Sequence, residues 1–206
     1  MTLNSPYLKG LVGLLSLAVA LVSYRFLLLG LATAFDGMQF HIDARRTTFL
    51  LHVSLAPVAL AIGGFQFSSR LRNRMPSVHR WMGRIYALAI LISAVAALFL
   101  AVASFDRPIA ALGFGLLAIL WIAFTARAVY LAVNRRILEH RKWMIRSFAL
   151  TFAAVTLRIQ LPFFYGVLGM DYLEASSILG WSSWIPNLIF AEWLLRRENK
   201  NPATLN

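Results

Sequence analysis

The 206-residue sequence has no cysteine and only eight acidic residues, whereas it has 20 lysines and arginines. The lack of cysteine excludes disulfide bonds and thiolate metal ligands. The few carboxylates argue against proton transport through a carboxylate relay, and none are paired in a pattern that suits acid–base hydrolysis. The sequence also has no glycine-rich phosphate loop, no His-Glu-x-x-His motif and no Gly-x-Ser-x-Gly motif.

Long apolar runs dominate what is present. Hydrophobic residues make up 60% of the chain and charged residues only 14%. Six runs reach the length of roughly 20 residues that crosses the apolar part of a bilayer. These runs are Leu11–Ala34, Thr47–Phe67, Ile85–Ser104, Ala110–Val133, Ile145–Leu168 and Ala175–Leu195. Because irregular backbone cannot face lipid, the sequence predicts one all-α integral membrane domain over residues 1–206, a bundle of about six transmembrane helices. The first run is too long for a removed signal peptide, so we expect it to remain as a helix.

The cations fall mainly on one side of the predicted bundle. Fifteen of the 20 are Lys9, Arg70, Arg72, Arg74, Arg80, Arg84, Arg127, Arg135, Arg136, Arg141, Lys142, Arg146, Arg196, Arg197 and Lys200. The positive-inside rule therefore predicts a multi-pass protein of the bacterial cytoplasmic (inner) membrane with both termini in the cytoplasm. The net charge of +12 does not indicate a nucleic-acid partner. These cations border apolar helices, where they contact the anionic headgroups of the lipid bilayer.

One phrase occurs twice. The segment His79–Arg84 reads His-Arg-Trp-Met-Gly-Arg, and the segment His140–Arg146 reads His-Arg-Lys-Trp-Met-Ile-Arg. The two copies open predicted helices 3 and 5, which suggests a parallel duplication with halves 47–104 and 110–168 and flanking helices 11–34 and 175–195. Helices 2 to 5 would then form a four-helix core. The alternative is that histidine, arginine and tryptophan are simply common at a cytoplasmic interface.

The duplication would place two imidazoles symmetrically. Two symmetric imidazoles are what an iron or copper site between helices requires, so His79 and His140 are the candidate metal ligands. Small or weakly polar residues continue the same helical faces, for example Gly83 after His79 and Gly63 after His52. They leave room for a flat cofactor, or they merely let membrane helices approach closely. A histidine beside arginine at a helix start also contacts lipid headgroups, and that alternative stays open.

Three ionisable side chains interrupt the apolar runs toward their outer ends. Arg25, His52 and Arg158 lie at similar predicted depth, with Gln160 close by. A charge at the bilayer centre costs roughly 2.5–3.5 kcal/mol, so such residues usually face the bundle interior. The sequence therefore predicts a shared polar cluster that binds an anion, a quinone carbonyl or the carboxylates of a cofactor. The alternative is a structural hydrogen-bond network. Glu192, near the other membrane face, is predicted to pair with Arg196.

Several of these motifs together resemble a known family, a prokaryotic family of predicted membrane proteins catalogued as domain of unknown function 2306. The resemblance covers about residues 47–162. It is carried by His52, Gly63-Gly64-Phe65-Gln66-Phe67, Arg70-x-Arg72, Val78-His79-Arg80-Trp81-x-Gly83-Arg84-Ile85-Tyr86, His140-Arg141-Lys142-Trp143-Met144-Ile145-Arg146-Ser147 and Thr156-Leu157-Arg158. The resemblance implies the multi-span topology and places His52, His79, His140 and Arg158 in the family pattern. It implies no activity.

A weaker likeness is to transmembrane di-haem cytochromes b, in which histidines of a four-helix core hold haem on both sides of the membrane. It implies one haem b on the cytoplasmic side, bound by His79 and His140. On the outer side His52 has no histidine partner on helix 4, and His41 is the only spare histidine. Two functions remain open: a redox module that binds b-type haem or a quinone, and a non-catalytic accessory or assembly subunit of a larger membrane complex.

Overall fold

The computed structural model describes residues 6–104 and 106–200, and every regular element in these segments is helical. Both chain termini were predicted to lie in the cytoplasm, and both are outside the described residues. The helices are α1 Pro6–Ser23, α2 Phe26–Leu29, α3 Leu31–Ala34, α4 Gln39–Ala44, α5 Arg46–Gln66, α6 Ser69–Arg74, α7 Pro76–Val102, α8 Pro108–Val133, α9 Ile137–Thr151, α10 Ala153–Pro162, a π-helix Phe163–Val167, α11 Tyr172–Ser182 and α12 Ile185–Lys200.

Five segments of the described chain are long and apolar enough to cross a membrane. They are Tyr7–Leu29, Arg46–Gln66, Pro76–Val102, Pro108–Val133 and Ile137–Val167. The prediction of an all-α membrane bundle is confirmed. The sixth predicted run is divided between α11 and α12. Together these two helices still follow the length of the bundle, because α11 packs on α8 and α12 packs on α9.

Four helices form the centre of the bundle. The helices α5, α7, α8 and α9 pack in a ring, with α5 against both α7 and α9 and with α8 between α7 and α9. The helix α1 lies outside this ring against α5 and α10. The arrangement agrees with a four-helix core built from two hairpins, α5–α7 and α8–α9. Whether the hairpins arose by duplication stays a prediction.

A buried polar network holds three of the core helices together. The hydroxyl of Tyr86 on α7 lies 2.9 Å from Ser147 Oγ and 2.8 Å from Thr151 Oγ1, both on α9. From α8, Trp121 Nε1 donates to Thr151 Oγ1 at 2.9 Å, and Thr125 Oγ1 lies 2.7 Å from Ser147 Oγ. Each of these buried polar groups thus has a partner, which buried polar groups require.

The first and last predicted spans are interrupted. The first was predicted as one helix to Ala34, but α1 ends at Ser23, and Gly30 adopts φ +77° between α2 and α3. A positive φ is available to glycine at no steric cost and cannot continue a right-handed helix. In the last span the break falls at residues 183–184. There Trp184 Nε1 donates to the Gly180 carbonyl at 2.7 Å, and Pro186 lies in the first turn of α12, where its missing N–H is not needed.

Candidate functional site

One end of the bundle carries both candidate metal ligands, and we call it the basic end because α6 and the starts of α7 and α9 bring their arginines there. His79 lies in the first turn of α7 and His140 in the first turn of α9. The two side chains are close enough for their charges to interact. In both copies of the repeated phrase an arginine stacks on the tryptophan three residues before it, with Arg84 4.8 Å from the Trp81 ring and Arg146 4.9 Å from the Trp143 ring.

The second copy of the phrase has one more residue between its histidine and its tryptophan than the first copy. This extra residue changes where each histidine lies relative to the tryptophan–arginine pair. His79 precedes Trp81 by two positions, whereas His140 precedes Trp143 by three. One residue turns a helix by about 100°, so the two imidazoles leave their helices on different sides relative to the tryptophan. The repeat therefore fixes the local contact of tryptophan and arginine but not a symmetric direction for the histidines.

The ring nitrogens of these histidines have different partners. His140 Nδ1 lies 2.8 Å from the Ala128 carbonyl at the end of α8. A carbonyl only accepts, so Nδ1 is the donor, and in the neutral imidazole Nε2 keeps its lone pair. Metal-binding histidines are commonly held in this way. His79 Nδ1 is buried and has no hydrogen-bond partner in the described part of the chain.

Space is available on the face of α7 one turn after His79. Gly83 follows on the same face of α7 as His79 and the buried Tyr86, and a Cβ added at Gly83 would meet no atom within 4 Å. Gly63 on α5 behaves differently, since a Cβ there would lie 2.6 Å from the Phe148 ring and 2.8 Å from the Tyr86 ring. One small residue of the predicted stripes thus serves close packing, and the other faces open space.

Charges surround the pair at the basic end. Arg72 and Arg80 interact electrostatically with His79, and Gln66 Nε2 donates to the His79 carbonyl at 3.3 Å. Arg141, next to His140, forms a bidentate ion pair with Glu198 on α12 at 2.7 and 2.8 Å. Within residues 6–104 and 106–200 no group of three or more histidine and carboxylate side chains could hold a metal ion. A metal at this end would therefore rely on two imidazoles.

A second polar cluster lies toward the opposite end, and we call it the arginine cluster: Arg25, His52 and Arg158. Arg158 interacts electrostatically with both Arg25 and His52, so the structure brings these three predicted residues together. His52 Nδ1 donates to the Ser93 carbonyl at 3.0 Å, which leaves Nε2 as an acceptor. Gln160 is placed elsewhere. Its amide exchanges hydrogen bonds with Ser182 at 2.7 and 3.2 Å and ties α10 to α11.

The two guanidinium groups of this cluster bond to backbone carbonyls. Arg158 donates to the Ala154 carbonyl of its own helix at 3.0 Å. Arg25 donates to the Ala34 carbonyl and lies 5.5 Å from the centre of the Phe35 ring. The ion pairs among the described residues are Arg107–Asp106, Arg136–Glu139, Arg141–Glu198 and Arg146–Glu192. Neither cluster arginine is among them.

One predicted contact is wrong and one partner was missed. Glu192 pairs with Arg146 on α9, at 2.5 and 3.0 Å, rather than with Arg196 of its own helix. A partner four residues away was the only one visible in the sequence, whereas the packing of α12 on α9 supplies a better one. The missed partner is Ser93 on α7, whose carbonyl accepts from His52, because nothing in the sequence links a serine of one span to a histidine of another.

Two grooves open on the lipid-facing surface. The first, of about 530 Å³, lies between α1, α5 and α6 and is lined by apolar residues such as Leu17 and Phe65 and, toward the basic end, by Lys9 and Arg70. The second, of about 360 Å³, lies between α5 and α7 and includes Leu51 and Phe99. Neither groove is lined by the histidine pair or by Arg25, His52 or Arg158. A site at either polar cluster would therefore be separate from these grooves.

The helices and the two internal polar clusters define the class of this protein, a polytopic helical membrane protein with ionisable groups inside its bundle. The model of a family described as "Predicted membrane protein (DUF2306)" matches residues 49–195. The chain belongs to that family. The matched region contains His52, His79, His140 and Arg158, and Arg25 lies before it. No curated protein and no solved structure matches the chain significantly.

Proposed function

We propose that this protein is a redox module of the bacterial inner membrane that binds a b-type haem at its basic end, with His79 and His140 as axial ligands. The observation that carries the proposal is the state of His140. Its Nδ1–H is held by the Ala128 carbonyl, which in the neutral ring leaves the Nε2 lone pair for a metal, and His79 is near enough to interact with it electrostatically. Iron in a haem takes neutral imidazole nitrogen as its axial ligand.

The surroundings of the two histidines support this choice of cofactor. The open space beside Gly83 adjoins the face of α7 that carries His79. Arg72 and Arg80 are near enough to interact with His79, and guanidinium groups are suitable partners for the propionate carboxylates of haem. In this position a haem would supply one-electron exchange. The chain's own residues would hold it, exclude water from it and set its distance from the membrane surface.

The location of the site determines the kind of electron partner. With the basic end in the cytoplasm and both termini on that side, the haem would lie near the cytoplasmic membrane face, as the positive-inside rule implies. A quinone is the electron carrier that such a module meets within the bilayer. An electron partner that approached from the water would instead have to pass the arginines that surround the basic end.

Optical spectroscopy of the purified full-length protein tests the proposal. Expressed with sufficient haem supply, the wild type should show a Soret band and sharpened, split visible bands on reduction with dithionite. His79→Ala and His140→Ala should each remove these bands, because the loss of one of two axial ligands leaves the iron weakly held. His41→Ala is the matched control, since His41 lies in α4 at the other end of the bundle and should keep the full spectrum.

The alternative function has a distinct outcome in the same experiment. A folded, colourless wild-type protein that co-purifies with a larger membrane complex would favour an accessory or assembly subunit and would overturn the haem proposal. A spectrum that survives both histidine substitutions would also overturn it. Circular dichroism and size-exclusion chromatography of each variant separate the loss of haem from the loss of the fold.

A further inference from the structure

We infer that the arginine cluster is a binding site for an oxyanion, a phosphate or carboxylate group, independent of any cofactor at the basic end. Arg25 and Arg158 are near enough to repel each other, and neither forms an ion pair among the described residues. Guanidinium groups stay charged in proteins. Two such groups at a half-buried position in a membrane bundle are costly unless a negative charge joins them.

The hydrogen-bonding capacity of the cluster points to the same ligand chemistry. A guanidinium has five N–H donors, and the contacts described above engage NH1 of Arg158 and NH2 of Arg25. The donors that remain can form the forked pairs that match carboxylate and phosphate oxygens. His52 contributes the opposite function, because its Nε2 accepts a hydrogen bond while Nδ1 donates to Ser93. An anion with its own O–H, such as hydrogen phosphate, satisfies all three side chains.

The backbone around Arg25 places it at a junction rather than within a helix. Arg25 lies between α1 and α2, and its side chain reaches the Ala34 carbonyl at the end of α3. The preceding residue, Tyr24, donates its hydroxyl to the Ser54 carbonyl of α5 at 2.6 Å, which holds this junction beside the helix that carries His52. The break in α1 is therefore what brings the Arg25 guanidinium to the other two residues.

The ligand has two possible sources with shared chemistry, a free anion and the phosphate of a lipid headgroup. We would purify the full chain in a neutral detergent with lipid removed and measure the binding of inorganic phosphate and of succinate by isothermal titration calorimetry. The lipid source is tested by native mass spectrometry after addition of phosphatidylglycerol. Phosphatidylcholine, whose headgroup carries no net charge, serves as the comparison lipid.

The variants remove one element of the site at a time. Arg158→Leu and Arg25→Leu should each weaken binding by about tenfold or more, because each removes charged hydrogen bonds to the anion. Arg158→Lys keeps the charge but loses the planar fork, so we expect a smaller loss. Arg127→Leu is the control, since it removes one exposed cation that stacks on Tyr130 and lies far along the chain from the cluster.

Saturable binding of phosphate or succinate that is weakened in Arg158→Leu and retained in Arg127→Leu supports a site for a free anion. Retention of phosphatidylglycerol with the same dependence, and without binding of free anions, supports a headgroup site of the same chemistry. The inference is overturned if the wild type binds none of these probes, or if Arg158→Leu and Arg127→Leu bind equally. Arg158→Lys keeps the test meaningful if the leucine variant does not fold.

Discussion

Single residues show how this bundle places polar side chains inside an apolar environment. His52 and His140 each give their Nδ1 proton to a carbonyl of a neighbouring helix, Ser93 and Ala128 respectively. The backbone of one helix thus determines which ring nitrogen of another keeps its lone pair. Tyr86 is held by two hydroxyls of α9 in the same manner. Polar side chains therefore orient each other across the core, in addition to holding the helices together.

The Tyr86 hydroxyl provides a test of that packing. Tyr86→Phe removes the group that bonds Ser147 and Thr151 but keeps the buried ring. We expect a loss of about 0.6–1.5 kcal/mol in the free energy of unfolding, as found for single hydrogen bonds in membrane and soluble proteins. Reversible unfolding in mixed micelles measures it. Tyr130→Phe, at an exposed position on α8, is the control, and an equal loss in both variants would contradict the prediction.

His41 makes the stability depend on pH. Burial lowers the pKa of His41 below its usual value of 6.5, and the nearby cations Arg45 and Arg107 lower it further, against a weaker effect of Asp106. The folded protein therefore favours the neutral imidazole. Above about pH 6.5, the pKa of histidine in the unfolded state, the full stability is present. As the pH falls below about 6.5, the unfolded state binds a proton more readily than the folded state, so stability is lost until the pH reaches the lower pKa of the folded state.

The variant that removes this titration is His41→Gln. Its amide can still bond Ser104, whose Oγ lies 3.0 Å from His41 Nε2. The melting temperature of the wild type should fall more steeply than that of His41→Gln between pH 7 and pH 5. Parallel curves for the two proteins would show that His41 does not titrate in this range.

At the scale of whole helices, the sequence predicted which segments cross the membrane but not where they break. Composition and run length are sufficient for α5, α7 and α8, because a span needs only enough apolar residues. The breaks at Gly30 and near Trp184 depend on single residues, a glycine at positive φ and an indole that caps a carbonyl. Neither contact changes hydropathy, so neither could be seen in the apolar runs.

The same limit applies to the candidate sites. Depth along a helix could be counted, and Arg25, His52 and Arg158 do come together as that count suggested. Which way a side chain faces around its helix decided whether the other predicted residue, Gln160, joins them. Gln160, two residues beyond Arg158, turns toward Ser182 instead of joining the cluster. Its partner lies on α11, whose packing on α8 and α10 could not be derived from the sequence.

The contact between α8 and α11 depends on paired glycines. A Cβ at Gly113 would lie 2.7 Å from the Gly180 carbonyl oxygen and 2.8 Å from its carbon, both of which are backbone atoms that cannot move aside cheaply. Small residues allow membrane helices this close approach. Gly113→Ala should therefore separate the helices and cost about 1–3 kcal/mol of stability.

Gly115, two residues further along α8, is a matched control for that substitution. A Cβ there would contact only Ala101 at 3.7 Å and Leu98 at 4.0 Å, which are ordinary distances. Gly115→Ala should be neutral or slightly stabilising, since alanine favours a helix over glycine by up to about 1 kcal/mol. Thermal unfolding in detergent compares the two variants. Equal stability of both would mean that α11 does not depend on the glycine contact.

For the whole molecule, the two polar clusters lie toward opposite ends of one bundle. The basic end carries the histidine pair and most of the cations, and the arginine cluster lies toward the other end, near the junction of α1 and α2. The family match begins at residue 49 and so contains the histidine pair but not Arg25. The two proposals can therefore be tested separately. A substitution at Arg158 should leave the optical spectrum unchanged, and a substitution at His140 should leave anion binding unchanged.

The orientation of the bundle connects both proposals to the cell. The net charge of +12 is concentrated at one end, and the positive-inside rule predicts that this end faces the cytoplasm. Because the chain has no cysteine, a single introduced cysteine is a unique label. Asn73→Cys marks the exposed helix α6 at the basic end, and Asp106→Cys marks the exposed turn before α8 at the other end.

We expect a membrane-impermeant maleimide to label Asp106→Cys in intact spheroplasts and to label Asn73→Cys only after lysis. The reason is that translocating the arginines around Asn73 across the membrane would oppose the membrane potential and remove them from anionic lipid headgroups. Labelling of Asn73→Cys in intact cells would reverse the topology. The histidine pair would then face the periplasm, and the arginine cluster would take its anion from the cytoplasm.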